Sequence, residues 1–433
     1  MLATLGAAVG LGNVWRFSYV AGENGGAAFL LVYVLFVVVV GLPLLLAEFG
    51  IGRSTRSESA AAFERLAPRS AWRAPGLLGV AVAFLVLSYY AVIAGWALKY
   101  LAMYAAGTAH APQEADGFEA RFERFIADPI EPLAWQFAVM AATVAIVWAG
   151  VERGIEAANR WLVPALALIL LALAAHGLSL EGAARGLAFL FRPDWSALAR
   201  AEVYLAAMGQ AFFSIGLAMG VLVTYASYLP REQPLPAAAL AVAAGDTLFA
   251  VVAGVVIFPA VFTYGVDPAQ GPVLAFVTLP QIFSHMPGGA WVGLGFFLLL
   301  VIAALTSAVS LLEVPVAWAM RRFGLRRAGA AAGIGSAIFA LGVPASLGYG
   351  PWAEVRAGGM AILDAMDFFA SNILLPVNGI LIALFAGWRW REALAGCGLG
   401  EGPLGAAWRA SLRFLVPVLV LVVLLRSAGA LFA

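Results

Sequence analysis

The stretch Gly6–Phe17, which reads GAAVGLGNVWRF, decides the fold of this chain. It lies within an expected membrane-spanning helix, yet it holds three glycines, the Asn13 amide and the Arg16 guanidinium. Glycine is unfavourable inside a helix and unpaired backbone groups are costly in lipid, so a break persists only where something polar uses the freed groups. Close helix packing through small residues is the alternative, but packing requires neither Asn13 nor Arg16. We therefore predict an ion or ligand site at this break.

The composition predicts a polytopic membrane protein. Of the 433 residues, 63% are hydrophobic and only 11% are charged, which is unlike a soluble domain. A spanning helix needs roughly 20 apolar residues, and eleven candidate segments are centred on 3–20, 27–47, 77–100, 134–150, 161–175, 204–228, 237–264, 291–320, 328–347, 362–388 and 414–425. The net charge of +1 argues against a nucleic-acid partner, and the single cysteine, Cys397, excludes an internal disulfide.

A second break is predicted in the sixth segment. Residues 209–220, GQAFFSIGLAMG, again combine small residues with amide and hydroxyl groups in an apolar span. Each interrupted helix is followed by four uninterrupted ones, as an inverted five-plus-five repeat would produce, and such paired breaks point to a transporter's binding site. We expect one all-α membrane domain, 1–433, of eleven helices, with helices 1 and 6 unwound at mid-membrane. Its parts are a first repeat at 1–175, a second at 203–388 and an additional C-terminal helix at 412–433.

The arginines predict the orientation of the chain. Most of them fall in loops on the same side as the N-terminus, which the positive-inside rule assigns to the cytoplasm. An odd number of helices then places the C-terminus outside. A helix from Met1 to Ala8 rises only ~12 Å, whereas half a hydrocarbon core is ~15 Å. We therefore expect a start codon that has been placed late or a truncated chain.

Charged residues within the apolar segments are candidate functional groups. Asp246 is one by default, because burying an unpaired carboxylate is costly, although a position near the interface is the alternative. Arg16 needs a carboxylate partner, for which Asp367 is the candidate. Glu48 lies near the cytoplasmic end of the second helix, and we expect it to snorkel to the interface.

These motifs carry a resemblance to a known family. The run AVGLGNVWRF at 8–17, followed by NGG at 24–26, resembles the neurotransmitter:sodium symporter family. The resemblance continues in order through YY at 89–90, QAFFS at 210–214, TYASY at 224–228, LTS at 305–307 and MDF at 366–368. It covers essentially the whole chain and is strongest with bacterial amino-acid-transporting members that have eleven helices. The family's inverted-repeat architecture and transport by alternating access are therefore expected here.

The resemblance implies two sodium sites. Sodium is a hard cation that prefers oxygen ligands, which the carbonyls of a broken helix supply. The first site would use the Ala8 carbonyl, the side chains of Asn13, Ser214 and Asp246, and the carboxylate of the substrate. The second would use the carbonyls of Gly6, Val9 and Ala303 and the hydroxyls of Thr306 and Ser307. By itself the Thr306-Ser307 pair indicates only hydrogen bonds to carbonyls one turn earlier.

The resemblance also bears on chloride. In chloride-dependent relatives a neutral asparagine stands at the position of Asp246, and a bound anion balances the charge. Here the Asp246 carboxylate would balance sodium itself, so we expect no chloride requirement.

The substrate class follows from the lack of a charged side chain at Gly10. Family members whose substrates are amines without a carboxylate have an aspartate at this position. This aspartate replaces the carboxylate that the substrate lacks. Since Gly10 has no charge, the resemblance implies an α-amino acid. Its carboxylate would contact Leu11, Gly12 and Tyr90, and its ammonium group the carbonyls of Ala8 and Phe213. The uncharged side-chain pocket would favour large apolar or aromatic amino acids, and its residues are Val86, Tyr90, Phe213, Gly216, Met219 and Leu311.

The resemblance implies an extracellular gate formed by Arg16 and Asp367, whereas the family's inner gating residues lie in an N-terminal segment with no counterpart here. An enzyme is not expected, because His110, His176 and His285 fall in or near loops and no acid or cysteine spacing joins them. The expected partners are an amino acid and the lipid bilayer of the plasma membrane, and the oligomeric state stays open. A sodium-dependent amino-acid sensor that does not cycle is the alternative function.

Overall fold

The structure, a computed structural model, describes residues 2–109, 117–269 and 271–432. Across these ranges the chain forms helices and no β-strand, which confirms the all-α prediction. His110 lies outside the described residues. The helices are α1 (Leu2–Ala8), α2 (Phe17–Glu23), α3 (Ala27–Thr55), α4 (Ser59–Leu66), α5 (Ala71–Ala105), α6 (Gly117–Ala127), α7 (Glu131–Trp148), α8 (Val151–Leu178), α9 (Ala183–Phe191), α10 (Ala201–Ile215), α11 (Val221–Ala226), α12 (Leu235–Thr263), α13 (Thr278–His285), α14 (Gly289–Phe323), α15 (Arg327–Leu347), α16 (Ile362–Arg389), α17 (Ala393–Gly396) and α18 (Pro403–Arg426).

Among the described residues, nine helices are long and apolar enough to cross a membrane. They are α3, α5, α7, α8, α12, α14, α15, α16 and α18. Each of them overlaps one of the eleven predicted segments. The two remaining segments, 3–20 and 204–228, are those in which a break was predicted, and each is divided into two shorter helices.

The first break follows α1. Val9 and Gly10 leave the helix, and the chain then enters a π-helical turn, Gly12–Arg16, that leads into α2. The Gly10 amide donates to the Asn13 side-chain oxygen at 2.9 Å. The Asn13 side chain therefore replaces a helical hydrogen bond that the break removes.

The second break separates α10 from α11 and uses left-handed backbone. Gly216, Ala218 and Gly220 have φ angles of +74°, +63° and +72°. This conformation is readily adopted by glycine but costs roughly 1–2 kcal/mol for a residue with a Cβ atom. Ala218 is therefore strained, and its surroundings must hold it in place.

Two side chains hold Ala218. Its amide donates to Glu48 Oε1 at 2.8 Å, and its carbonyl accepts from Asn378 Nδ2 at 2.6 Å. Glu48 is fully buried, so the prediction that it snorkels to the interface is wrong. The reason is that the break leaves the Ala218 amide without a helical partner, and Glu48 supplies the acceptor from α3.

The packing of the helices brings the two breaks together. α1 contacts α12 and α14, and the second broken segment contacts the same two helices through α10 and α11. α1 also contacts α10 and α11 directly. The polar groups freed by both breaks therefore face one region between α12 and α14.

Candidate functional site

The first polar cluster joins the two breaks through Asn13. Its side-chain nitrogen lies 3.0 Å from Ser214 Oγ, 2.7 Å from Asp246 Oδ1 and 2.9 Å from the Asp246 carbonyl oxygen. Asn13 and Asp246 are fully buried, and Ser214 is 3% exposed. The structure therefore brings together the three side chains predicted for the first sodium site, from the first break, α10 and α12.

The Asp246 carboxylate also accepts hydrogen bonds from two hydroxyl groups. Ser214 Oγ lies 2.9 and 3.0 Å from its two oxygens, and the Tyr33 hydroxyl donates to Oδ2 at 3.0 Å. No salt bridge among the described residues includes Asp246. A buried carboxylate without a cationic partner is strongly destabilising, so this cluster is suited to a small cation. Tyr33 was missed by sequence reasoning, and its only signal was a hydroxyl in an apolar helix that needs a partner.

Most of the second predicted sodium set also lies together. The Thr306 hydroxyl is 3.0 Å from the Ala303 carbonyl oxygen and 3.4 Å from that of Val9. Ser307 Oγ is 3.5 Å from the Ala7 carbonyl oxygen. These contacts place hydroxyls of α14 beside carbonyls at the end of α1.

Gly6, the remaining member of that set, is pressed against α8. A Cβ atom at Gly6 would lie 2.9 Å from Val163 Cγ2 and 3.2 Å from Asn159 Cγ. Asn159 is buried, and its side-chain oxygen has no hydrogen-bond partner within the described part of the chain. Sequence reasoning missed this amide.

A small cavity lies beside these clusters. Its wall contains no charged side chain and is formed by Ala7, Ala8, Gly10, Gly12, Val86, Tyr90, Phe213, Ser214, Gly216, Met219, Val221, Ser307, Ser310 and Leu311. Eight of the nine predicted substrate residues are in this wall. The ninth, Leu11, contacts it through its amide, which donates to the Tyr90 hydroxyl at 3.2 Å.

Two residues of the second break affect the space that the cavity offers to a ligand. A Cβ atom built on Gly216 would meet nothing within 4 Å, so the absence of a side chain there leaves space. Met219 follows in the same break, and its flexible thioether can adapt to different shapes. Sequence reasoning did not assign Ala7, Val221, Ser307 or Ser310 to this wall.

Gly10 lies close to α14, beside Ser307. A Cβ atom there would collide with Ser307 Oγ and lie 3.2 Å from the Tyr90 hydroxyl. We expect Gly10→Ala to force Ser307 from its rotamer and to weaken sodium-dependent ligand binding roughly tenfold. Equilibrium binding at graded sodium concentrations tests this.

Gly209→Ala is the matched control for Gly10→Ala. Gly209 lies in α10, and a Cβ atom there would meet only Asn372 Oδ1, at 3.8 Å. We expect this variant to bind as the wild type does. Equal effects of the two substitutions would contradict the steric explanation.

Arg16 lies between the two breaks and is 9% exposed. Its Nη1 donates to Gln210 Oε1 at 3.2 Å, and Gln210 Nε2 donates to the Gly12 carbonyl at 2.7 Å. The guanidinium carbon lies 4.8 Å from the centroid of the Phe213 ring, within the range of a cation–π interaction. Gln210, which lies on α10, therefore links the second broken segment to Arg16 and Gly12 of the first by hydrogen bonds.

Asp367 has different partners from those predicted. Its Oδ1 accepts from the Tyr89 hydroxyl at 2.9 Å and from Ser371 Oγ at 3.0 Å. Within the described residues, no salt bridge joins Arg16 to Asp367. Each of the two charged groups is instead held by neutral side chains, which sequence spacing could not reveal.

A buried ion pair joins α14 to α15. Arg327 donates to both oxygens of Glu313 at 2.7 and 2.9 Å, and the Tyr228 hydroxyl donates to Glu313 Oε1 at 2.8 Å. Glu313 is fully buried, and the Arg327 side chain is 22% exposed. This network ties the end of the second broken segment to two membrane helices. Sequence reasoning missed it because Glu313 and Arg327 lie 14 residues apart on separate helices.

Known proteins resemble this chain over almost its full length. The family described as the Sodium:neurotransmitter symporter family matches residues 1–111 and 125–431. The sodium-dependent transporter YhdH of Bacillus subtilis is 40% identical over 100% of this chain and 96% of its own length. A sodium-dependent transporter of Haemophilus influenzae is 32% identical over 99% of this chain and 96% of its own.

A solved structure has the same fold. The crystal structure of MhsT in complex with L-phenylalanine matches with a TM-score of 0.93 and 52% sequence identity. The match covers 98% of this chain and 97% of the MhsT chain. From these matches, the chain belongs to the sodium:neurotransmitter symporter family of membrane transporters.

Proposed function

We propose that this protein couples an inward sodium gradient to the import of a neutral, large apolar or aromatic α-amino acid by alternating access. The family consists of sodium-dependent transporters and is not an enzyme class. The observation that carries the proposal is the uncharged cavity between two broken helices, bordered by the buried Asp246 cluster. The crystal structure of MhsT contains L-phenylalanine, which supports an amino acid as the ligand.

The proposed coupling rests on shared ligands. Ser214 belongs both to the cavity wall and to the Asp246 cluster, so a substrate carboxylate there would lie beside the first sodium ion. Opposite charges in a buried site raise each other's affinity, and linkage makes the factor equal for both. The second sodium ion would bind between α1 and α14, where Thr306 meets Val9.

We expect transport to be independent of chloride. The proposed first site already contains the Asp246 carboxylate, which is fully buried and in no salt bridge among the described residues. Replacing all chloride by gluconate should leave the rate of sodium-driven uptake unchanged in proteoliposomes. A strict chloride requirement would show that the carboxylate does not balance the charge of the sodium ions.

The proposed substrate class follows from the cavity wall. Without a charged side chain, it offers no partner for an acidic or basic amino acid, whose desolvation would be uncompensated. The open space at Gly216 favours a large side chain over glycine or alanine. One methylene is worth only ~1–3 kcal/mol of discrimination, so we expect several apolar amino acids to be accepted.

The proposed architecture has eleven membrane spans in a plasma membrane. The nine long apolar helices of the described residues and the two broken segments would together form these spans, with inverted repeats at 1–175 and 203–388 and a further helix at 412–433. The N-terminus would be cytoplasmic and the C-terminus outside. Arg16 and Asp367 would close the outer side, which requires them to exchange their present partners.

The test is uptake of radiolabelled amino acids into proteoliposomes with and without an inward sodium gradient. Accumulation of apolar or aromatic amino acids that depends on the gradient supports the symporter. Sodium-dependent binding without accumulation would instead indicate the alternative, a sensor that binds amino acids and does not cycle.

A further inference from the structure

Ser310 is a polar residue in the cavity wall with no role in the proposed sodium sites. It lies on α14 and is 1% exposed. Its hydroxyl donates to the Thr306 carbonyl at 2.9 Å, so it is one helical turn beyond Thr306. Its neighbours in the wall include Leu311 on the same helix and Met219 in the second break.

The hydroxyl of Ser310 has spare capacity as an acceptor. A serine hydroxyl has one donor hydrogen and two acceptor lone pairs. The hydrogen is used by Thr306, and one lone pair accepts from the Tyr225 hydroxyl at 2.9 Å. Among the described residues no other group bonds to Ser310, so the second lone pair is free. Tyr225 is 3% exposed, and its contact fixes the Ser310 rotamer.

Ser310 lies where the far end of a substrate side chain is expected. The Tyr90 hydroxyl, which bonds to the Leu11 amide, marks the proposed carboxylate end of the cavity. Ser307, beside Gly10, is at the same end. Ser310 follows Thr306 by one turn of α14, about 5.4 Å along the helix. A side chain that extends from the carboxylate end along α14 would therefore approach Ser310.

We propose that Ser310 accepts a hydrogen bond from the N–H or O–H group at the far end of an aromatic amino acid. This inference rests on the proposed function and deepens it, because it makes Ser310 a residue that determines specificity. Tryptophan and tyrosine carry such a donor and phenylalanine does not. Because the rest of this wall is largely apolar, a donor without an acceptor there would lose its hydrogen bond to water.

The expected selectivity is modest. Ser310 keeps two hydrogen bonds when the ligand has no donor, so only one bond distinguishes the ligands. One net hydrogen bond corresponds to roughly three- to tenfold in affinity. A suitable pair of ligands is tryptophan and 3-(3-benzothienyl)-alanine, in which sulfur replaces the indole N–H with little change of shape.

The experiment measures competition against radiolabelled L-phenylalanine in saturating sodium. In the wild type we expect tryptophan to bind about three- to tenfold more tightly than the benzothienyl analogue. In Ser310→Ala the two ligands should bind equally, because neither of them then meets the serine hydroxyl. Retained phenylalanine binding shows that the variant folds.

The outcomes separate this inference from the proposed function. A preference for tryptophan that persists in Ser310→Ala would overturn the inference and leave the transporter proposal intact. An equal loss for phenylalanine and tryptophan in that variant would show a structural role for Ser310 and would also overturn it. Failure of the wild type to bind any of these amino acids in sodium would overturn the proposed function, and the inference with it.

Discussion

Asp246→Asn is expected to weaken sodium binding at least ~100-fold and to abolish sodium-driven accumulation of amino acids. The substitution keeps the size of the side chain and removes its charge. Without substrate, the proposed sodium ion would then lie in a buried site with neutral ligands only, which are Asn13, Ser214 and the backbone. Breaking a buried pair of opposite charges typically costs about 3–5 kcal/mol, equivalent to a factor of more than ~100.

Two measurements check the Asp246 prediction. Sodium activation of uptake in proteoliposomes reports the transport effect. The rise of the melting temperature with sodium concentration reports binding without transport, because a ligand that binds the folded state stabilises it. Asp267→Asn is the control, since its carboxylate is exposed and, among the described residues, bonds only to the Ala269 amide. Wild-type sodium dependence in Asp246→Asn would rule out Asp246 as the ligand that balances sodium.

Arg327→Ala is expected to destabilise the protein by about 3–5 kcal/mol. The substitution leaves the Glu313 carboxylate fully buried, with the Tyr228 hydroxyl as its remaining hydrogen-bond partner. The cost comes from the uncompensated charge and not from the bond alone. Replacing both partners, as in the double variant Glu313→Leu with Arg327→Met, should recover most of the loss, because no buried charge remains.

The pair Lys99 and Glu131, whose carboxylate is exposed where that of Glu313 is fully buried, is the control for this prediction. Their side chains are 24% and 40% exposed, and pairs in water contribute only about 0–1 kcal/mol. We therefore expect Lys99→Ala to lower the melting temperature in detergent far less than Arg327→Ala. Equal effects of the two substitutions would show that the unpaired Glu313 carboxylate costs no more free energy than an exposed one.

The breaks in the two helices could be predicted from sequence because their cause is local. Glycines, an amide and a hydroxyl in an apolar span are unfavourable for a continuous helix in lipid wherever the rest of the chain lies. The structure places the breaks at Val9-Gly10 and at 216–220, inside the two predicted stretches. The nine continuous helices were likewise predictable, since length and hydropathy alone define them.

The partners of individual polar groups could not be predicted in the same way. Glu48 illustrates this, because its position near a helix end suggested an exposed carboxylate, whereas it caps the strained Ala218 on another segment. Arg16 and Asp367 have opposite charges, yet they form hydrogen bonds with Gln210 and Tyr89 respectively. A hydrogen bond depends on distances of a few ångströms between helices, which spacing along one helix does not fix.

The sequence by itself determined the class of protein, the family and the two broken helices, since hydropathy and short motifs are properties of contiguous residues. Only the tertiary structure decided which side chains share a site. Tyr33 meets Asp246 across 213 residues, Tyr225 meets Ser310 across 85, and Glu313 meets Arg327 between two helices. In each case the physical reason is the same: a buried polar group must find a partner in space, and helix packing determines which one is within reach.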